Sequence, residues 1–344
     1  MLPRTFYSRL QKLNIKGLVL SYGFFIIFVL VIILFSALTK HFLELDNLMN
    51  ILHSAAPTLV IASGLALVLM TGKIDISIGS IIFLATAIGG ALMTRYNVSP
   101  LIAFPTMLLI GAVCGTVNGF IVTVLKVNPF ITTLSSMFVL RGIALFVTGG
   151  VMIGIPDFLQ TFGSTKIGPI YVDILISLVF IFLVHLLHTR TKFGRHVMAV
   201  GNGEEIARRL GVPVKQVVFT SFLLSGLFAS MGGILSMAQL GGVSLHMGEG
   251  LEFTGIAACV IGGISLSGGE GSFGRYILGV LTLKLIENGL IHLGTSSYAY
   301  SLVIGIIIFF AMYADSLKFM VRASVRRISR EEAGSGKPGP AVRD

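Results

Sequence analysis

Long apolar runs alternate with short polar stretches along most of the chain. The runs fall near residues 17–38, 55–72, 76–94, 100–125, 130–148, 170–188, 218–240, 254–268, 275–293 and 298–314. Most can form a helix of about 20 residues, the length that crosses the hydrocarbon of a bilayer. The run at 254–268 is shorter, and several others are interrupted by Gly, Pro or a charge. The pattern predicts an all-α membrane protein with about ten transmembrane helices, some of them discontinuous. Tyr96, Tyr171, Tyr276, Tyr298, Tyr300 and Tyr313 fall at or near segment ends, where an amphipathic ring suits the lipid–water boundary.

Composition narrows the class. The chain of 344 residues is 54% hydrophobic and only 12% charged, against about 25% charged in a soluble domain. That excludes a cytosolic enzyme, a disordered chain and a disulfide-stapled secreted domain. The formal net charge is +10, but 17 of the 25 basic residues lie in 1–16, 189–217 and 315–344, and the remainder is close to neutral. Basic blocks that alternate with apolar runs follow the positive-inside pattern and not a nucleic-acid-binding face. Six runs precede the middle block and four follow it. Even counts place all three blocks, and so both termini, in the cytoplasm. The expected organisation is a cytoplasmic tail (1–16), a transmembrane domain (17–314) carrying a cytoplasmic loop (189–217), and a basic, polar cytoplasmic tail (315–344). The run at 17–38 lacks a small-x-small cleavage site, so it reads as a span and not as a signal peptide.

No cofactor or metal is indicated. Cys114 and Cys259 both lie in apolar runs, which suits neither a disulfide framework nor a metal cluster. Residues 269–274 match G-x-G-x-x-G, but membrane segments flank them where a dinucleotide site needs a βαβ unit.

Function in a membrane protein is carried by polar groups that lipid does not tolerate. Residues 71–80 place Asp75, Ser77 and Ser80 between Gly72 and Gly79 in an alternating apolar–polar string. It reads either as unwound backbone facing protein or water or as a solvated turn between helices. Residues 261–272 repeat that grammar with Ser265 and Ser267 between paired glycines, and an Asn-Gly follows each cluster, at Asn118 and at Asn288. Gly-interrupted segments in two halves of a chain point to a binding site near the midplane of a transporter; convergence is the other reading. Gly111, Gly115 and Gly119 form a small-xxx-small face for close helix contact. Lys284 and Glu287 are spaced to pair on one helix. In the middle basic block, Asn202 is placed to cap a short helix that Gly211 and Pro213 end. That helix would carry Glu204/Arg208 and Glu205/Arg209 pairs and an Ile206/Leu210 stripe. At about two turns it is marginal alone, which favours docking on a partner over a solvated connector.

Four strings, TGKIDISIGS from Thr71, KVNPFITTLSSMFVLRGIALFVTGG from Lys126, TKFGRHVMAVGN from Thr191 and AACVIGGISLSGGEGSFG from Ala257, occur in an order that spans about 45–315. With them the chain resembles the permease subunits of bacterial sugar-importing ABC transporters of the ribose, xylose, galactose and autoinducer-2 group. The resemblance implies a multi-pass protein of the bacterial inner membrane that does no chemistry itself. It implies three kinds of protein partner: a cytoplasmic ABC ATPase, a periplasmic sugar-binding protein, and a second permease copy or paralogue. Glu204, Glu205, Ile206, Ala207, Arg208, Arg209 and Leu210 would then form the coupling helix that enters a groove on the ATPase. Asp75, Ser77, Ser80, Asn118, Glu252, Ser265, Ser267 and Asn288 become candidates for the translocation path. The tandem glycines and the Asn-Gly sites would help to pack two permease copies. The chain departs from the family pattern at Lys73, where a second Gly is usual, at Phe253, where Asp is usual, and at Lys284, where a small or apolar residue is usual. The alternative, an ion-coupled secondary transporter of a small polar solute, rests on Asp75 and the Lys284/Glu287 pair. An intramembrane hydrolase is disfavoured because Ser265 lacks a G-x-S-x-G setting.

Overall fold

The computed structural model describes residues 15–295, 298–310 and 313, with side chains from residue 23 onward. The tails expected at 1–16 and 315–344 lie outside the described residues, except for the start of the first helix. The described chain is mostly helical. In order come α1 (Ile15–Leu38), α2 (Leu45–Met70), α3 (Ile78–Arg95), α4 (Pro100–Thr123), α5 (Pro129–Thr148), α6 (Asp157–Ser164) and α7 (Val172–Arg190). They are followed by α8 (Lys192–Asn202), α9 (Glu204–Arg209), α10 (Val214–Leu240), α11 (Leu251–Ile261), α12 (Tyr276–His292) and α13 (Tyr298–Phe310). Six of these, α2, α3, α4, α5, α7 and α10, are long and apolar enough to cross a membrane. Two antiparallel two-residue ladders complete the fold, and one joins Ile153–Gly154 to Gly242–Val243.

Local chemistry sets several helix ends. Ser99 and Asn128 each accept a hydrogen bond from the backbone N–H two residues on, and Pro100 and Pro129 occupy the first helical position. Both are strong start signals, because the side-chain oxygen satisfies an orphan donor and proline lacks one. The chain leaves α5 and α10 through Gly149 and Gly241 in the left-handed conformation.

The core is built from α2, α3 and α10. α10 lies along α4 on one side and α2 on the other, while α3 packs on α4, α5 and α10. A second group, α11 and α12, closes against α2, and α1 rests on α12. The tandem glycines of α4 explain the closest approach. A Cβ at Gly111 would stand 2.3 Å from Gly226 O, and one at Gly115 would stand 2.3 Å from Phe222 O, both on α10. This corrects the expectation that the stripe packs two copies of the chain together: it packs α4 onto α10 within one.

Two segment boundaries are also corrected. α2 starts ten residues before the apolar run at 55, and Asn47 near its N-terminus pairs with Asn288 of α12. The run at 254–268 is helical only to Ile261; from Gly262 the chain turns back on itself, with Ser265 N donating to Glu270 O at 3.2 Å.

Candidate functional site

Residues 73–77 are neither helix nor strand, and Gly72 (φ 75°) begins the break after α2. Of the two readings of 71–80, buried unwound backbone is the one realised: Asp75 and Ser77 are wholly buried. Asp75 Oδ1 accepts from Ser77 N at 3.0 Å and from Ser77 Oγ at 2.6 Å, and Asp75 Oδ2 accepts from Ser225 Oγ of α10 at 2.9 Å. The chain of bonds continues outward. Asn118 Nδ2 of α4 donates to Ser77 Oγ at 2.8 Å, and Ser136 Oγ of α5 donates to Asn118 Oδ1 at 2.5 Å. Every donor points toward the carboxylate, which as an acceptor-only group is the natural end of such a relay. Three donors offset much of the cost of burying it. One short unwound segment thus ties together α4, α5 and α10.

The other candidates fall in several places. Ser80 is buried, its hydroxyl without a hydrogen-bond partner among the described residues. Glu252, at the N-terminus of α11, lies against the first turn of α3: a Cβ on Gly79 would meet Glu252 Oε2 at 2.4 Å and Gly248 O at 2.2 Å. Ser265 and Ser267 belong to the 262–272 turn, where Ser267 N donates to Ser265 Oγ at 3.2 Å. That turn meets the first cluster directly, because Ser267 O stands 3.0 Å from where a Cβ on Gly72 would be. Asn288 is not brought to Asp75; it exchanges amide hydrogen bonds with Asn47 at 3.0 and 3.1 Å. The two Asn-Gly sites therefore do not occupy equivalent positions. Lys284 and Glu287 pair as their spacing predicts, at 2.8 Å.

The short helix of the basic block is present as α9. Its predicted cap is corrected: α8 continues through Asn202, whose side chain donates to Met198 O and to Gly269 O, and Gly203 (φ 155°) stands at the N-cap without a side-chain bond. Only glycine tolerates that conformation easily. Glu205 pairs with Arg209 at 2.5 Å, whereas Glu204 pairs with Lys73 at 2.6 Å and not with Arg208. Ala207 is buried, while Ile206 and Leu210 are 64% and 76% exposed.

Three partners were missed from sequence. Ser225 and Ser136 look like any serine in an apolar helix, so no signal marks them. Arg141, a charge within the fifth apolar run, does carry one. Its guanidinium reaches Glu249 at 3.4 Å and lies over the Phe83 ring. A hydrogen bond from His246 holds the Glu249 carboxyl below its ordinary range.

Together, a mostly helical fold with six helices long and apolar enough to cross a membrane and a buried polar relay at a helix break fit a membrane transport protein. The family described as "Branched-chain amino acid transport system / permease component" matches residues 47–312, and the chain belongs to it. It is 35% identical over 292 residues to the ribose import permease protein RbsC of Escherichia coli K12, covering 82% of this chain and 89% of that protein. It is 32% identical over 334 residues to the galactose/methyl galactoside import permease protein MglC of the same strain, covering 91% and 98%. A probable ABC transporter permease protein of that strain, YphD, is 36% identical over 298 residues, covering 86% and 89%. No solved structure matches the chain. The protein is therefore an inner-membrane permease subunit of an ABC importer, a transport component and not an enzyme.

Proposed function

We propose that the chain moves a sugar or sugar-like polar solute inward across the bacterial inner membrane, driven by a separate cytoplasmic ATPase and supplied by a periplasmic binding protein. The relatives named for ribose and galactose import support the solute class. The observation that carries the coupling is α9, a two-turn helix held at the edge of the fold with Ile206 and Leu210 outward. Exposed apolar side chains on a helix too short to stand alone fit a groove on a partner. Residues 204–210 are read as that coupling helix.

Topologically, α1 to α5, α7 and α10 to α13 make ten crossings, with both termini, 189–217 and the tails 1–16 and 315–344 in the cytoplasm. α11 is too short to cross alone and serves as a half-helix. Asp75, Ser77, Ser80 and Asn118 form the polar lining of the path near the break between α2 and α3. Glu252, Ser265 and Ser267 belong to the second break, and Asn288 serves packing. The second permease copy, or a paralogue, is placed against α4 and α5, while lipid covers the other outward faces. Ser135 is exposed on α5, a polar group better placed against protein than against lipid. A cavity of about 380 Å³ between α4 and α5 is lined by Ser136, which also belongs to the relay.

The test is reconstitution in proteoliposomes with the ATPase and binding protein. ATP-dependent uptake of ribose or galactose is expected, with none from a proton gradient alone. Uptake driven by the gradient without the ATPase would overturn the reading in favour of an ion-coupled transporter.

A further inference from the structure

The cytosolic helices α8 and α9 are fastened to both broken segments. Lys73 Nζ lies 2.6 Å from Glu204 Oε1, the first residue of α9. Gly269 N donates to Met70 O at 3.0 Å, and Asn202 Nδ2 donates to Gly269 O at 3.0 Å. Gly201 sits in the same joint, so close that a Cβ on it would stand 2.0 Å from Met70 O and 2.2 Å from Gly269 N. The end of α8 therefore bears on the last residue of α2 and on the 262–272 turn at once. On the other flank of α9 is a cavity of about 360 Å³, lined among others by Lys73, Lys126, Glu204, Arg208 and Lys215. The Lys73–Glu204 pair is a bridge at the wall of that space.

Lys73 stands two residues before Asp75 in a stretch without helical turns. Only Ile74 lies between the two, so a displacement of Lys73 acts within two residues of Asp75. From there the hydrogen bonds lead to Ser225 of α10, to Asn118 of α4 and to Ser136 of α5. We propose that Lys73 is a positioning residue: its pair with Glu204 passes the movement of α9 to the Asp75 segment, with the Gly201–Gly269 contact as the fulcrum. The proposal rests on reading α9 as the helix that docks the ATPase. Lys73 takes no part in stability on this view, because a partly exposed ion pair adds little to it. Its contribution is to link α9 directly to the Asp75 segment.

The experiment uses the reconstituted complex of permease, ATPase and binding protein, and reads sugar moved per ATP hydrolysed. Lys73→Glu and Glu204→Lys are each expected to lower that ratio about fivefold, the low end of coupling between sites. For Lys73→Glu, which lies outside the docking helix, the thermal midpoint and co-purification of the ATPase should be unchanged. Lys73→Met should lower the ratio about twofold, as loss of one exposed attraction without new repulsion would. The double exchange, Lys73→Glu with Glu204→Lys, should restore it. A single reversal with the wild-type ratio, or a double exchange no better than either single, overturns the proposal. Ile206→Asp separates it from the reading beneath. If that variant still binds the ATPase, the docking assignment falls and the proposal with it. If it loses the ATPase while the reversals leave the ratio unchanged, only the role of the pair falls.

Discussion

Residues 71–77 and 262–272 both interrupt apolar helices with glycine and both alternate Ile or Leu with a polar residue. In the first, side chains make the attachments: Asp75 and Ser77 are sealed from solvent and reach three helices. In the second, the backbone makes them. Ser265 N, Gly268 N and Gly269 N donate to carbonyls, and Gly269 O receives Asn202, while Ser267 is exposed. The difference lies in one residue type. A carboxylate in a dry interior draws every donor within reach, because leaving it unpaired is costly. Serines in the corresponding string make no such demand, so their segment can serve as a bearing surface for α8.

That contrast can be broken by substitution. The largest effect is expected from Asp75→Ala, which leaves the Ser77 and Ser225 hydroxyls buried without their acceptor, at about 1–3 kcal/mol for each unsatisfied group. Uptake should be abolished and the thermal midpoint of the purified permease should fall; an unchanged midpoint would mean that the relay carries no load. Next comes Gly268→Ala. Its φ of 82° is left-handed, and a Cβ would stand 2.4 Å from Gly72 N. The backbone term alone is about 1–2 kcal/mol, so a lowered midpoint in thermal unfolding is expected, with uptake reduced in step. Smallest is Ser267→Ala, expected to stay within about 0.5 kcal/mol of wild type and to transport normally in vesicles. A loss of uptake there comparable to that of Asp75→Ala would show that the second segment, too, works through its side chains.

Much of this was legible in the chain. Hydropathy marks spans because a helix in lipid must be apolar along its own length, so the information is local. The two glycine clusters and the α9 segment were visible for the same reason, each being a violation of a local rule. What escaped were partners. Asn202 has the chemistry of an N-cap, but Gly269 lies within its reach only once 262–272 has folded back. Glu204 faces two basic candidates of similar local merit, Arg208 one turn away and Lys73 on a distant segment; the fold decides for Lys73. Ser225 and Ser136 carry no mark until Asp75 and Asn118 are placed beside them.

The sequence by itself determined the solvent of this protein, the class of its fold, its family and the sites where backbone leaves the helix, because burial in lipid and helix breaking depend on residues near one another in the chain. Only the tertiary structure decided that the glycine stripe of α4 serves α10, that Asn288 belongs to Asn47, and that the two broken segments touch one another and helices α8 and α9. Each of these is a choice among chemically equivalent partners, settled by which surfaces the packing of α2, α3 and α10 brings within hydrogen-bond distance.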